Sequence, residues 1–107
     1  MDVTTPVEVF TEIDTRLKAD PTKIGSLNAA YSFDLEGEEY HIVLKDGAGE
    51  AGTGAAENPN ITLTMKPDDF VGIATGTLDP TTAFMAGKIK VKGDMGLAMK
   101  LQSVLRG

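Results

Sequence analysis

Nucleophilic and metal chemistry have few residues to draw on in this 107-residue chain. It holds one histidine, His41, no cysteine, and serine only at Ser26, Ser32 and Ser103. A general base or a metal site needs partner groups at a spacing that brings them together. His41 instead shares its strand face with Val43 and Lys45 and reads as an edge or surface residue. None of the serines sits in the strand-to-helix turn of a nucleophile elbow. Glu36, Glu38, Glu39, Asp46 and Glu50 gather near predicted hairpin tips. They lack the alternating acidic order around a glycine that a calcium loop requires and read as a solvated acidic end of a sheet. Asp68-Asp69 begin a helix, where carboxylates suit the dipole. Gly47 to Gly52 spells G-x-G-x-x-G after a strand, but a dinucleotide site needs a helix to start there. Gly54 and Asn58-Pro59 follow instead, and Glu50 places a negative charge inside the loop. A glycine-rich hairpin is the reading. No catalytic residue, no metal site and no cofactor is expected.

Binding is better served. Lys88, Lys90 and Lys92 alternate along one short strand, with Lys100 beyond, and form the one basic concentration in a chain of net charge −6. They read either as a solvated sheet face or as a surface that receives a carboxylate, a CoA phosphate or an anionic membrane. Arg16, on the polar side of the first helix, is a weaker candidate for the same task. The stretch from Gly87 to Leu105 also carries an apolar surplus. After the strand, Gly93 breaks the chain and Asp94 can cap a helix with Leu97, Ala98, Leu101, Val104 and Leu105 on one stripe. Met95 and Met99 fall on a neighbouring face, so the apolar arc is about twice the ~100° that sealing a core requires. Methionine suits irregular or changing partners. A ligand, a second subunit or overlying loops could occupy that face. The candidate apolar residues are Phe70, Ile73, Leu78, Phe84 and Met85 on the middle helices and their connection. Met95, Met99, Leu101 and Leu105 continue them on the last helix. Periodicity alone makes them core.

The elements that position these residues follow from period and punctuation. Thr5-Pro6-Val7-Glu8 is a capping box with proline in the first helical position. Val7, Phe10, Ile13 and Leu17 form the helical stripe, ended by Asp20-Pro21. A polar connection follows, with room for a helical turn at Lys23-Ile24. Tyr31, Phe33 and Leu35, then Tyr40, Ile42 and Leu44, alternate with polar residues on either side of Gly37, which predicts a tight hairpin. Asp46-Gly47 starts another turn, with a short third strand around Glu50–Thr53. Ile61, Leu63 and Met65 mark a fourth strand. Two short helices come next, each with proline near the start and glycine just past the end: Pro67 to Gly76 and Pro80 to Gly87. The predicted class is α+β, one sheet covered by helices, in a single domain over residues 1–107.

The composition, with 41% hydrophobic and 24% charged residues, is ordinary for a globular chain. The acidic balance argues against nucleic acid, which needs a basic face. No apolar run approaches the ~18 to 20 residues of a membrane span. The N-terminus lacks the basic-then-apolar pattern of a secretory signal, and the absence of cysteine fits a reducing compartment. A cytoplasmic location is expected.

Several of these stretches together resemble the sterol carrier protein 2 family. They are Phe10, Ile13, Arg16 and Leu17 of the first helix, LKDGAG at 44–49, ITLTM at 61–65, DDF at 68–70 and GTLDPTTAFMAGKIKVKGDMGLAMKL at 76–101. The likeness runs from about Phe10 to Leu105 and is most specific from Gly76 to Leu101. It implies a five-stranded mixed sheet covered on one side by helices, with an apolar cavity between them for fatty acids, fatty acyl-CoA, sterols or phospholipids. It also implies no catalysis by the domain. It moves several of the apolar residues above from core toward cavity lining, with Arg16, Lys88, Lys90, Lys92 and Lys100 as candidate contacts for an anionic head group. Tyr40 stands where the family commonly carries tryptophan. The loop Glu36–Glu39 is shorter than in many eukaryotic members, and Leu105-Arg106-Gly107 is not a peroxisomal address. The last two departures favour a prokaryotic-style, stand-alone cytosolic member. The expected function is non-catalytic binding and transfer of lipids or similar apolar ligands. Transient membrane contact, a homodimer and a partner enzyme are the further partners considered. The alternative is an accessory or self-associating module that docks through its C-terminal helix, presenting an apolar substrate to a partner enzyme.

Overall fold

The computed structural model describes residues 5–20, 28–98 and 100. Helix α1 spans Pro6–Ala19. It opens on the expected reciprocal cap: the Thr5 hydroxyl accepts the Glu8 amide, and the Glu8 carboxylate accepts the Thr5 amide. Its buried stripe is Val9, Phe10, Ile13 and Leu17, while Val7 is 48% exposed. This corrects the stripe read from the sequence. At 100° per residue Val9, Ile13, Leu17 and Phe10 fall within one arc of roughly 100°, and Val7 lies about 60° beyond its edge.

Strands β1 (Ala29–Leu35), β2 (Glu38–Lys45) and β3 (Ala48–Thr53) form a meander. Both connections are two-residue turns with positive φ at each position: Glu36 at 55° and Gly37 at 91°, then Asp46 at 53° and Gly47 at 79°. Such turns share the twist of the strands they join, so pairing resumes at once. Strand β3 therefore starts at Ala48, opposite Lys45, two residues before the expected Glu50. Strand β4 (Ile61–Met65), helices α2 (Pro67–Thr75) and α3 (Pro80–Met85), and strand β5 (Ile89–Gly93) follow. A last helix, α4, is entered at Met95 and is described at 95–98 and 100. The turn expected at Lys23-Ile24 lies outside the described residues.

The strand order is β3-β2-β1-β4-β5, with β1 antiparallel to β2 and parallel to β4. Register places Tyr40, Phe33, Leu63 and Val91 in one row across four strands, and Ile42, Tyr31 and Ile61 in the next. This is the inner face, under the helices. The outer face carries His41, Ser32, Thr62 and Lys92 in one row and Glu39, Asp34, Thr64 and Lys90 in another. The connection from β3 to β4 crosses that outer face. The Ala56 amide donates to Ser32 Oγ at 2.9 Å, which explains why Ser32 is buried on a face predicted to be polar.

Phe10 ties the layers together. Its ring stacks on Tyr40 at 4.6 Å and on Phe70 at 4.8 Å, and meets Phe33 edge-on at 5.2 Å. Helix α1, strands β1 and β2 and helix α2 thus share one aromatic centre, of the offset and edge-on geometry that aromatic quadrupoles favour. At the β3 edge the inner positions are Gly49, Ala51 and Thr53, small enough for α1 to lie close. There Asp14 Oδ1 accepts the Ala51 amide at 3.0 Å, so the helix covers an edge strand that would otherwise offer a free donor.

Candidate ligand-binding region

The cover over the sheet is uneven. Beneath α1 the inner face is closed by the aromatic centre. Toward β5, where Ile89 is buried, its neighbours Leu78, Val91, Leu97 and Ala98 pack on the core but are only half-buried. Around them three large apolar side chains remain in water, Phe84 at 44%, Met85 at 81% and Met95 at 45% exposure. The reason lies in α3. Its six residues are opened by Asp79, whose carboxylate accepts the Thr82 amide at 2.9 Å, and they bury only Ala83. A helix of fewer than two turns cannot hide every side of itself.

The sequence candidates therefore separate. Phe70 and Ile73 are fully buried, Phe70 within the aromatic stack. Leu78, half-buried, packs on the core beside α2, where its amide donates to Gly72 O at 3.0 Å. Phe84, Met85 and Met95 form the exposed rim. The side chain of Met99, and Leu101 and Leu105, lie outside the described residues. Lys88, Lys90, Lys92 and Lys100 are all exposed. Lys88 and Lys90 line a cleft of about 610 Å³ at the end of the sheet, together with Lys66, Asp34, Glu36 and Asp69. Arg16 is not brought to them. It lies on α1, which packs at the β3 edge, and its Nε pairs with Glu12 at 3.2 Å.

One side chain that ties this region to the sheet was not singled out by the sequence. Tyr31 is an inner residue of the central strand with no exposed surface, and its hydroxyl donates to the Leu97 carbonyl of α4 at 3.0 Å. Burial, with the Asp94 carboxylate adding to it, pushes this phenol up to about 12 from its ordinary 10.0. The available signal was chemical: a tyrosine at a core position must find a partner for its O–H. Asp94 starts the same helix as expected, its Oδ1 accepting the Gly96 amide at 2.8 Å. Its own amide donates to Asn60 O at 3.3 Å, and Asn60 Oδ1 in turn accepts the Ala30 amide. The start of α4 is thus held to β1 and to the β3–β4 connection by polar bonds, while the apolar contacts around it stay incomplete.

The acidic residues do not converge: Glu38 and Glu39 begin β2, and Asp46 follows its other end. Among the described residues no group of three metal-binding side chains is present. His41 Nδ1 lies 3.0 Å from Gly54 O, and its ring faces Gly52 across the strand pair. The G-x-G-x-x-G run is strand β3 and its turn, with no helix after it.

The model of the SCP-2 sterol transfer family matches residues 10–106. The chain belongs to that family. Among solved structures, palmitated SCP2L2 from Aedes aegypti matches with a TM-score of 0.80 and 25% identity, over 97% of this chain and 96% of that one. Sterol carrier protein 2 from the same organism, in complex with the C16 fatty acid palmitate, matches with a TM-score of 0.71 and 27% identity, over 92% of each. Hydroxysteroid dehydrogenase-like protein 2 of Xenopus tropicalis is 38% identical over 102 residues, 92% of this chain but 24% of that protein. The chain therefore spans about a quarter of the length of this curated relative. The five-stranded mixed sheet with helices on one face is the sterol carrier fold that the sequence implied. Where the family commonly carries tryptophan, Tyr40 stacks on Phe10 and donates its hydroxyl to Glu38 at 2.9 Å. An aromatic ring is kept at that position.

Proposed function

We propose that this sterol carrier domain binds the hydrocarbon chain of a lipid beside α4 and transfers it without chemistry. The observation that carries the reading is the unevenly closed inner face: half-buried Val91, Leu97 and Ala98 border exposed Phe84, Met85 and Met95. Membership of the SCP-2 sterol transfer family and the palmitate-bound neighbours support it. Binding would be partition. Each methylene moved out of water gains about 0.8 kcal/mol, so lengthening a fully enclosed chain by two carbons tightens Kd about 15-fold. Leu78, Phe84, Met85 and Met95 serve this site as its wall and rim, beside a core in which Phe70 and Ile73 are already fully buried. The apolar stripe of the sequence adds Met99, Leu101 and Leu105 as further candidates for the lining. Exposed Lys88 and Lys100 are the candidates to meet an acidic head group; Lys90 and Lys92 lie on the outer face of the sheet, and Arg16 lies at its β3 edge.

The test is a chain-length series of fatty acids read by displacement of a fluorescent analogue, with native mass spectrometry and organic extraction of the freshly purified protein. Affinity that climbs steeply with each pair of carbons is expected. Absence of binding, or affinity indifferent to chain length, would overturn the partition mechanism. A second reading is favoured by the curated relative, a hydroxysteroid dehydrogenase-like protein of which this chain spans about a quarter. In it the domain presents its apolar ligand to an enzyme, joined or separate. Faster turnover of an apolar substrate by such an enzyme when the domain is present would support that reading.

A further inference from the structure

Strand β5 ends the sheet on the side away from α1 and has a neighbouring strand, β4, on one side only. It is held at both ends: the Lys88 amide donates to Ala83 O at 2.9 Å, and the Asp94 amide donates to Asn60 O at 3.3 Å. Between these anchors Ile89–Gly93 pairs with β4 along its whole length. Among the described residues, no group beyond β4 bonds to the backbone of this strand. The other edge differs, since there Asp14 of α1 accepts the Ala51 amide of β3. Unpaired N–H and C=O groups along a fixed strand are a template for one more strand. Register sets Lys90 and Lys92 on the outer face, both exposed, and Val91 on the inner face, half-buried. Among the described residues neither lysine has an ion-pair partner.

From this edge we infer that β5 receives an extended segment of a partner protein as a sixth strand, a segment in which acidic and apolar residues alternate. A strand added there puts every second side chain beside Lys90 and Lys92, and the others beside Val91. Backbone bonds give the attachment, and the two lysines give the choice of guest. Opposite charges across a strand pair attract, and like charges repel. A second copy of this chain is therefore the poorer guest. A twofold antiparallel pairing centred on Val91 would set Lys90 of each copy against Lys92 of the other. Lysines on the edge thus bar self-pairing and leave an acidic strand the favoured partner. The inference does not rest on the carrier reading, because both lysines lie on the face opposite the apolar region.

The experiment titrates the whole isotope-labelled chain with a short peptide alternating glutamate and valine, read by amide chemical shifts and hydrogen exchange. Saturable binding is expected, with slowed exchange in Ile89–Gly93 and unchanged exchange in Ala48–Thr53. The same residues with the glutamates grouped at one end should bind about tenfold more weakly, and a lysine–valine peptide should leave the β5 amides unprotected. Methylating the peptide's amide nitrogens at every second residue blocks one of its edges, so one of the two phases should abolish binding. The pair Lys90→Glu and Lys92→Glu should weaken the glutamate peptide about tenfold or more and admit the lysine peptide instead. No binding at about millimolar peptide would overturn the inference. Equal binding of the grouped peptide, or of both methylated forms, would overturn it too, by showing adsorption through charge alone. Amides of Ile89–Gly93 already protected in a dimer of the peptide-free chain would give the edge to a second copy and sink the proposal as well.

Discussion

Replacing Tyr31 by phenylalanine removes one oxygen from the centre of the sheet and leaves the ring where it packs. The lost bond is the 3.0 Å link to the Leu97 carbonyl, the polar tie between β1 and α4. A hydrogen bond of this kind contributes about 1 kcal/mol net, so near neutral pH the variant should unfold about 1 kcal/mol more easily. If α4 opens by breaking this link, its local opening rises about fivefold, and hydrogen exchange at the Leu97 and Ala98 amides accelerates by the same factor. Both amides lie in the first turn and donate to Asp94 O. Alkaline pH supplies an internal control. The phenol is raised to about 12 in the fold from an ordinary 10.0, so the folded state holds its proton more tightly. The associated stability is fully present below pH 10 and is lost as pH rises toward 12. The full loss is about 2 to 3 kcal/mol. The Tyr31→Phe variant has no such proton to lose. Chemical denaturation at several pH values should therefore show the wild type more stable at pH 8, the two curves crossing near pH 11 (about 1 kcal/mol of the wild-type advantage having gone) and the order reversed above it. Parallel curves at all pH values would refute the linkage. Unchanged exchange at Leu97 and Ala98 would refute the role of Tyr31 in holding α4.

Two further outcomes follow from the scaffold. Asp14→Ala strands the Ala51 amide of the edge strand, so it should cost about 1 to 2 kcal/mol by urea denaturation. Lys18→Ala removes only an exposed i,i+4 partner of Asp14 and should cost under about 0.5 kcal/mol. Gly93→Ala would drive a Cβ into Asn60 O at a φ of 124°, and should cost about 2 kcal/mol or more, read as a lowered Tm.

Most of the architecture was legible because it is local. The Thr5–Glu8 cap, the Glu36-Gly37 and Asp46-Gly47 turns, the alternation from Tyr31 to Leu44, and the proline and glycine marks around α2 and α3 depend on residues a few places apart. Local rules misjudged the first helix stripe, where Val7 was chosen over Val9. With apolar residues at both positions, period alone could not say which way α1 rolls toward Phe33, Tyr40 and Phe70. Gly93 ends β5 as its local signal suggests, though it still pairs with Ile61. The five-stranded mixed sheet agreed with the family resemblance, while its order β3-β2-β1-β4-β5 followed from no pattern in the strands themselves.

The candidate region shows where each kind of information stops. By itself the sequence determined that cysteine is absent, that histidine and serine are few and that apolar residues are plentiful, since residue types are countable. It also determined that Lys88, Lys90 and Lys92 share a face, because a strand alternates with period two. Only the tertiary structure decided that Phe70 is core while Phe84 and Met85 reach water, though all three lie on short helices of similar design. Burial depends on what another element places above a side chain, and here α1 reaches Phe70 but not α3. Only the tertiary structure joined Tyr31 to Leu97, 66 residues away, or parted Arg16 from the lysines across the sheet. Such contacts are set by packing geometry between elements, which one-dimensional spacing does not encode.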